Sequence, residues 1–299
     1  MPTDELQTQW TARDIPDQHG RTFIVTGANS GLGEKAARAL GAAGADVLLA
    51  CRSTDKGAQV GREIGPNAEV RKLDLADLAS VREFAESIDT VDVLINNAGV
   101  MAVPLRRTAD GFEMQFGTNH LGHFALTGLL LGKLTDRVVT MASAAHAIGT
   151  LHFEDPNWEQ RGYRRWRAYG QSKLANLLFT YELQRRLTVA GSPLRAMAAH
   201  PGYSSTNLQS HTESFLDSVM SLGNRLIGQS ADMGALPELY AATEASVIGG
   251  SYIGPDGRFE AHGYPKRVGS TKKSKDLADA RRLWELSEKC TGVTYSFES

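Results

Sequence analysis

Cysteine is scarce in this 299-residue sequence: Cys51 and Cys290 are the only two, and no CxxC spacing occurs. Two cysteines cannot build a disulfide framework, so we expect reduced thiols, as in cytosolic proteins. Long apolar runs are also missing, and the richest stretch, 124–134, is far shorter than the roughly 20 residues of a membrane span. The opening MPTDELQTQWTARDIP lacks the apolar core of a signal peptide. We therefore expect a cytoplasmic protein without an integral membrane segment.

A strong charge of either sign is lacking as well. The formal net charge is -2 and the sequence pI is about 6.5, which gives no indication of a nucleic-acid partner or an anionic membrane partner. The sequence shows no internal repeat, low-complexity tract or linker that would divide it. We expect one domain over residues 1–299, long enough to bury a full core.

Short apolar runs alternate with helical patterns along the chain. Several of these runs are continuously apolar, which is typical of strands buried on both faces of a parallel sheet. The pattern predicts an α/β fold, a doubly wound Rossmann sheet of about seven parallel strands flanked by helices. The predicted strands are 21–27, 45–51, 68–74, 91–97, 137–143, 194–200 and 251–254.

The stretch from Ser204 to Leu236 interrupts this alternation with polar turns and short amphipathic pieces. It follows the sixth strand, and ligands of open α/β sheets bind beyond the carboxyl ends of the strands. We interpret 204–236 as a flap on the substrate side; an ordinary pair of surface helices is the alternative.

A glycine-rich loop, TGANSGLG (26–33), directly follows the first predicted strand and opens the first helix. Its three glycines, Gly27, Gly31 and Gly33, suit a tight turn, a close approach of the backbone to a pyrophosphate, and close packing of helix on strand. The helix N-terminus then offers free N–H groups to phosphates. The loop predicts a dinucleotide site.

The tip of the second strand indicates which dinucleotide binds. An NAD site usually has an acid at this position, about 20 residues after the loop, whereas here the strand ends in Cys51 and Arg52. A guanidinium pairs with the 2′-phosphate of NADP, so we predict NADP(H); Asp55 keeps NAD open as the less favoured cofactor. Asp74, after the third strand, suits either the adenine amino group or a turn.

Tyr169 and Lys173 stand four residues apart in AYGQSK, which places them on one face of a predicted helix. A free phenol has a pKa near 10, and a neighbouring ammonium lowers the pKa of that phenol. We therefore expect Tyr169 to act as a general acid or base near neutral pH.

With these motifs in place, the chain resembles the short-chain dehydrogenases/reductases over nearly its whole length. The motifs that carry the resemblance occur in the order found in that family. They are TGANSGLG (26–33), Asp74-Leu75, NNAG (96–99), Asn119 in TNHLGHF, Ser143, Tyr169 with Lys173, and HPG (200–202) followed by Thr206.

The resemblance implies a catalytic set of Asn119, Ser143, Tyr169 and Lys173. Tyr169 would exchange a proton with the substrate oxygen, Ser143 would bind that oxygen, Lys173 would hold the nicotinamide ribose, and Asn119 would hold a water leading from Lys173 to solvent. The cofactor contacts that motifs and resemblance together predict are Gly27, Asn29, Ser30, Gly31, Leu32, Gly33, Arg52, Asp74, Leu75, Asn97, Ala98, Gly99, Tyr169, Lys173, Pro201, Gly202 and Thr206.

Ser143 and Tyr169 are separated by an insert, GTLHFEDPNWEQRGYRRW, that common family members lack. The insert, together with TNHLGHFALT and SKLANLLFT, is most similar to the retinol-dehydrogenase-like branch, which light-dependent protochlorophyllide reductases partly resemble. This resemblance implies a hydrophobic carbonyl or alcohol substrate. Many members of the branch carry an N-terminal membrane anchor, which we do not expect here, and this disfavours retinoids delivered from membranes.

The resemblance also implies a homodimer or homotetramer, with the apolar helix Leu174–Leu187 as one interface. Two other function classes stay open: a catalytically silent nucleotide-binding regulator, and an epimerase or dehydratase that uses the same Tyr-Lys pair. His120 and His123 have the spacing of a metal pair, but the sequence offers no evident third ligand, so we expect no metal.

Overall fold

The computed structural model describes residues 9–202 and 230–297. Within these ranges one sheet has the order β3-β2-β1-β4-β5-β6-β7-β8, parallel except for the β7–β8 pair. The seven predicted parallel strands are confirmed. The strands are β1 Thr22–Thr26, β2 Asp46–Cys51, β3 Ala68–Lys72, β4 Val91–Asn96, β5 Leu134–Met141, β6 Arg195–Ala199, β7 Tyr252–Pro255 and β8 Pro265–Arg267.

The antiparallel edge strand β8 was not predicted. It has three residues, Pro265, Lys266 and Arg267, and none of them is buried. A strand this short and polar has no apolar run to reveal it, and proline is at home at a sheet edge because it donates no ladder hydrogen bond.

Helices cover both faces of the sheet. The described α-helices are α1 Gly31–Ala42, α2 Thr54–Ile64, α3 Leu78–Glu86, α4 Met114–Phe116, α5 Gly122–Leu130, α6 Arg165–Val189, α7 Ala231–Thr243 and α8 Leu277–Thr291. The π-helical turn Gly117–Leu121 lies between α4 and α5. Across the described ranges, no helix combines the length and the apolar character that crossing a bilayer requires.

Alternating residues of the central strands enter two separate cores. Ile24 of β1 packs in the core that also contains Phe124 and Phe179, whereas Phe23 and Val25 pack in the core that contains Leu40 of α1. Because both faces of the strands are covered, the strands are almost continuously apolar, as the sequence suggested.

The strand order reverses between β1 and β4, since β2 and β3 lie on one side of β1 and the later strands on the other. In a doubly wound sheet the crevice at this switch point, beyond the carboxyl ends of the strands, is where ligands bind. The glycine loop follows β1 and NNAG ends β4, so both motifs reach this crevice.

The C-terminal helix α8 lies against α6 and covers its apolar face. Trp284 of α8 stacks on Phe179 of α6 with ring centroids 5.9 Å apart, and Arg186 lies 4.2 Å above the Trp284 ring. Leu174, Leu177, Leu178, Leu183 and Leu187 are all buried within the chain. These leucines are therefore covered within one chain and are not available to a second subunit, while a subunit interface on 174–187 and homo-oligomerisation remain predictions from the resemblance.

Most of the proposed flap, 204–229, lies outside the described residues, as does Thr206. The remaining part, 230–236, is the start of α7, where Ser230 caps the helix and Ala235 and Leu236 are buried. These last residues belong to a core helix, so only the preceding part of the stretch stays a candidate flap.

Candidate active site

The glycine loop forms the turn that a dinucleotide requires. Gly27 and Gly31 have φ angles of 69° and 59°, in the left-handed region that glycine favours. A Cβ on Gly33 would collide with the Asn97 amide and lie 2.8 Å from the Gly27 carbonyl oxygen. The third glycine therefore lets α1 pack closely against the end of β1.

The N-terminus of α1 is open to a ligand. Ser30 is exposed and makes no capping hydrogen bond, Asn29 is half-buried beside it, and Leu32 is buried beneath. The backbone N–H groups of the first turn suit a pyrophosphate, because helix N-termini attract anions. The residues of this loop fit a dinucleotide.

Arg52 is exposed immediately after β2 and has no hydrogen bond or ion pair with any described residue. No acid stands at this strand tip, and Asp55 is exposed in the first turn of α2. The guanidinium is therefore free to meet a phosphate at the edge of the crevice.

Asp74 shapes the turn after β3. Its Oδ1 accepts the backbone N–H of Ala76 at 2.9 Å, and its own N–H donates to Ser80 Oγ at 3.0 Å. Asp74 thus has a role in the turn, Oδ2 makes no hydrogen bond within the described ranges, and its contact with the adenine amino group remains a prediction. The Leu75 side chain is buried in the core between sheet and helices, and its contact with the cofactor also remains a prediction.

The NNAG segment is tied to the start of the glycine loop through Thr26. Thr26 Oγ1 accepts the backbone N–H groups of Asn97 and Ala98, both at 2.9 Å, and Asn97 Nδ2 donates to the Thr26 carbonyl at 2.7 Å. A Cβ on Gly99 would lie 3.1 Å from Asn119 Oδ1 and 3.7 Å from Lys173 Nζ. Glycine at this position lets the β4 loop approach the candidate catalytic side chains.

Asn119 lies within the π-helical turn, a local widening that is frequent at functional sites. Its amide clamps Val100: Oδ1 accepts the Val100 N–H at 2.8 Å, and Nδ2 donates to the Val100 carbonyl at 2.9 Å and to Ser172 Oγ at 3.0 Å. The side chain thus joins the β4 loop to α6. Its role toward a water remains a prediction.

Ser143 and Tyr169 come together at the carboxyl end of β5. Ser143 follows β5, where its Oγ accepts the Ala145 N–H at 3.2 Å, and the Ser143 side chain lies beside the Tyr169 phenol. Burial raises the pKa of Tyr169 to about 12, and the neighbouring Ser143 side chain opposes this rise.

Lys173 lies one helical turn after Tyr169 on α6, with Nζ 5.7 Å from the centre of the Tyr169 ring. It donates to the Met141 carbonyl at 2.9 Å, and burial lowers the pKa of its ammonium to about 8. Burial is the largest influence on the pKa of Tyr169, and the Lys173 ammonium donates to a carbonyl oxygen in this structure; that Lys173 lowers the pKa of Tyr169 remains a prediction.

The insert between Ser143 and Tyr169 docks onto the site through contacts that sequence reasoning missed. Arg161 stacks on Trp158 at 3.6 Å and donates to Gln171 Oε1 at 2.8 Å, two residues after Tyr169. Tyr163 donates to Glu113 at 2.9 Å, next to the π-helical turn. The sequence signal was the density of arginine and aromatic residues in the insert, which does not say what each one contacts.

The HPG turn after β6 packs against Glu260 and Ala261. Gly202 has a φ of 67°, and a Cβ there would lie 2.6 Å from the Ala261 carbonyl oxygen. His200 is buried and its Nε2 lies 3.0 Å from Glu260 Oε2, while Glu260 itself has a left-handed φ of 56°. These contacts fix the Pro201-Gly202 turn at the carboxyl end of β6, the edge of the sheet where the cofactor is expected.

His120 and His123 do not form a metal pair. His120 Nε2 contacts Ser287 Oγ at 2.8 Å, and His123 contacts Asn119 and Thr26 instead. In residues 9–202 and 230–297, no three His, Cys, Asp or Glu side chains are grouped as metal ligands.

Comparison with known proteins decides the family. The model of the family described as short chain dehydrogenase matches residues 21–216, which is well over half of the chain. The chain belongs to the short-chain dehydrogenase family. It is therefore an oxidoreductase of a family that binds nicotinamide cofactors, as the motifs predicted.

Curated relatives of this short-chain dehydrogenase are retinol dehydrogenases. It is 41% identical to human retinol dehydrogenase 13, covering 92% of this chain and 85% of the relative, and 39% identical to human retinol dehydrogenase 14, covering 92% and 87%. The resemblance to the retinol-dehydrogenase-like branch is confirmed.

Solved structures agree with the fold. An uncharacterised protein from Mycobacterium paratuberculosis is 53% identical, with a TM-score of 0.85, and covers 97% of this chain and 100% of its own. A structure from Beutenbergia cavernae, described as an NAD(P)-dependent gluconate 5-dehydrogenase with bound NADP, is 28% identical, with a TM-score of 0.61 over 79% and 96% of the two chains.

Proposed function

We propose that this short-chain dehydrogenase is an NADP(H)-dependent enzyme that interconverts a carbonyl and an alcohol on a hydrophobic small molecule, with Tyr169 as the proton-transferring group. The observation that carries the proposal is the meeting of the Tyr169 phenol with Ser143 at the end of β5, with Lys173 one helical turn away. A bound nicotinamide supplies or accepts the hydride in such chemistry.

The raised pKa of Tyr169 supports a role as proton donor in the reduction of a carbonyl. With its pKa raised to about 12, the phenol keeps its proton near neutral pH and is poised as a general acid toward the oxygen of a carbonyl. Ser143 would donate to the same oxygen and stabilise the charge that develops on it. The buried, cationic Lys173 would stabilise the negative charge on the substrate oxygen. It would also donate hydrogen bonds to the hydroxyls of the nicotinamide ribose.

Arg52 supports NADP(H) over NAD(H), because an exposed guanidinium at the β2 tip, without a partner among residues 9–202 and 230–297, suits a 2′-phosphate. We expect Arg52→Asp to lower the ratio of kcat/KM with NADPH to kcat/KM with NADH more than tenfold. Lys56→Asp, an exposed charge reversal in α2, is the control. An unchanged ratio in the Arg52 variant would show that another group recognises the phosphate.

A hydrophobic substrate is supported by Trp166, which is 38% exposed and whose ring lies 6.2 Å from that of Tyr169. The names of the curated relatives add retinol and its aldehyde to the first compounds to test. The two unpaired cysteines, Cys51 and Cys290, support a reducing, cytoplasmic location.

The decisive experiment follows NADPH absorbance with a panel of hydrophobic aldehydes, ketones and alcohols. Tyr169→Phe should reduce kcat by several orders of magnitude while NADPH still binds, because only the proton-donating hydroxyl is removed. Ser143→Ala should reduce kcat by about 10²–10³-fold through loss of an oxyanion donor. Full activity of Tyr169→Phe would refute the role of Tyr169, and the absence of turnover in wild type on every compound would refute the reaction.

A further inference from the structure

His123 is the second residue of α5 and is 1% exposed, although its imidazole makes two polar contacts in opposite directions. Nδ1 lies 3.0 Å from the carbonyl oxygen of Asn119, and Nε2 lies 3.0 Å from Thr26 Oγ1. One ring therefore spans from the π-helical turn to the end of β1.

The direction of each hydrogen bond follows from simple counting. A carbonyl oxygen only accepts, so Nδ1 carries the proton and donates to Asn119. Burial lowers the pKa of His123 to about 4, with a smaller contribution from the Lys173 charge, so the ring is neutral at pH 7 and holds one N–H. Nε2 must then accept, and the Thr26 hydroxyl is the donor.

Thr26 can satisfy this assignment. Its oxygen already accepts the N–H groups of Asn97 and Ala98, which leaves its own proton to donate. The competing acceptor, the Ile95 carbonyl, is more distant at 3.3 Å. Each hydrogen bond from Asn119 through His123 and Thr26 to Asn97 and Ala98 thus has one direction.

The ring consequently joins the two halves of the candidate site. On one side Thr26 begins the glycine loop and holds NNAG; on the other side Asn119 clamps Val100 and Ser172. The hydrogen bonds that join Asn119, His123 and Thr26 are buried and mutually consistent, which makes this part of the network rigid.

We propose that His123 is a positioning residue, whose neutral imidazole fixes the catalytic turn around Asn119 against the cofactor-binding loops through opposite hydrogen bonds to Asn119 and Thr26. The proposal rests on the function proposed above. His123 touches neither substrate nor cofactor and acts through these two neighbours.

His120 provides a matched control. It is also 1% exposed, lies in the same helical segment, and makes its hydrogen bond to Ser287 of α8, away from the crevice. Replacing either histidine removes a buried imidazole, but only His123 connects the two halves of the site.

The variants separate the two contacts. Leucine at 123 removes both, whereas His123→Asn keeps an amide donor near the Nδ1 position and loses the acceptor for Thr26. We expect His123→Leu to lower kcat about tenfold to hundredfold, the scale of a misplaced catalytic group, and to weaken NADPH binding several-fold. His123→Asn should recover most of kcat but not the NADPH affinity, and His120→Leu should leave both within about threefold while lowering Tm.

Two measurements do not depend on turnover. Fluorescence titration gives the Kd for NADPH, and the imidazole ¹⁵N chemical shifts of wild type give the tautomer, expected to be Nδ1–H. An Nε2–H tautomer, wild-type kcat and NADPH affinity in His123→Leu, or equal kcat losses in His120→Leu would each overturn the proposal. If wild type binds NADPH but turns over no compound, the proposed function fails while the tautomer and affinity measurements still decide the role of His123.

Discussion

The ammonium nitrogen of Lys173 lies 2.9 Å from the carbonyl oxygen of Met141, two residues before Ser143. Asn176 donates to the same oxygen at 3.0 Å. Helix α6, which carries Tyr169, is therefore tied twice to the end of β5, which carries Ser143, and this tie sets the distance between the two proposed catalytic hydroxyls.

The contributions of the two hydrogen bonds to the Met141 carbonyl can be distinguished, because Lys173 carries a charge and Asn176 does not. We expect Lys173→Met to lower kcat at least hundredfold, since it removes both the tie and the buried cation. Asn176→Ala removes only a donor and should cost less than tenfold. Steady-state kinetics with NADPH measure both; equal losses would show that the tie, and not the charge, is what catalysis needs.

The pH dependence of carbonyl reduction should report on Lys173. Because its pKa is lowered to about 8 while that of Tyr169 is raised to about 12, raising the pH removes the lysine proton first. We expect kcat/KM for reduction to fall as the pH rises through about 8. In Lys173→Arg, whose guanidinium stays charged, this fall should move above pH 9.5. A fall near pH 8 that persists in the arginine variant would assign it to another group.

Glu238 in α7 should make the fold less stable at alkaline pH. It is fully buried, neither carboxylate oxygen has a hydrogen-bond partner in the described part of the chain, and burial raises its pKa to about 8. The unfolded chain releases this proton near pH 4.5 and the folded chain near 8, so stability falls between these values. We expect Glu238→Gln to raise the free energy of unfolding at pH 8 by about 1–3 kcal/mol, but much less at pH 5. Urea unfolding at both pH values tests this, and an equal gain at both would contradict it.

Trp284 should contribute strongly to stability. Its ring is 2% exposed and packs on Phe124, Phe179 and Tyr295. Trp284→Ala should lower the free energy of unfolding by about 3–5 kcal/mol. The control is Phe259→Ala, because Phe259 is 86% exposed and its loss should cost less than about 0.5 kcal/mol. Similar unfolding midpoints for the two variants would show that α8 is not part of the core.

The sequence predicted the sheet well because its strands are buried on both faces and therefore form continuous apolar runs. It predicted the glycine loop, Ser143 and Tyr169 because the chemistry of each constrains residue type and position. The pKa of Tyr169 could not be predicted, since it depends on how deeply the phenol is buried. The use of the α6 face was also hidden, because an apolar helix looks the same whether a partner subunit or its own C-terminus covers it.

The contacts of His123 could not be predicted from the sequence either. A histidine in HLGH has many possible partners, and spacing alone suggests a metal pair. Its real contacts, Thr26 and Asn119, lie 97 and four residues away in the chain. The fold places the end of β1 beside the start of α5, and this brings the Thr26 hydroxyl to the His123 ring.

The cover that α8 provides has a consequence for biosynthesis. Ribosomes extend a chain at roughly 5–20 residues per second, and Phe297 follows Leu187 by 110 residues. During roughly 5–20 s of translation, and until the last segment leaves the exit tunnel, the surface of α6 around Phe179 that α8 covers remains exposed. Chains that terminate before α8 expose this apolar surface permanently, which makes them substrates for chaperones and proteases.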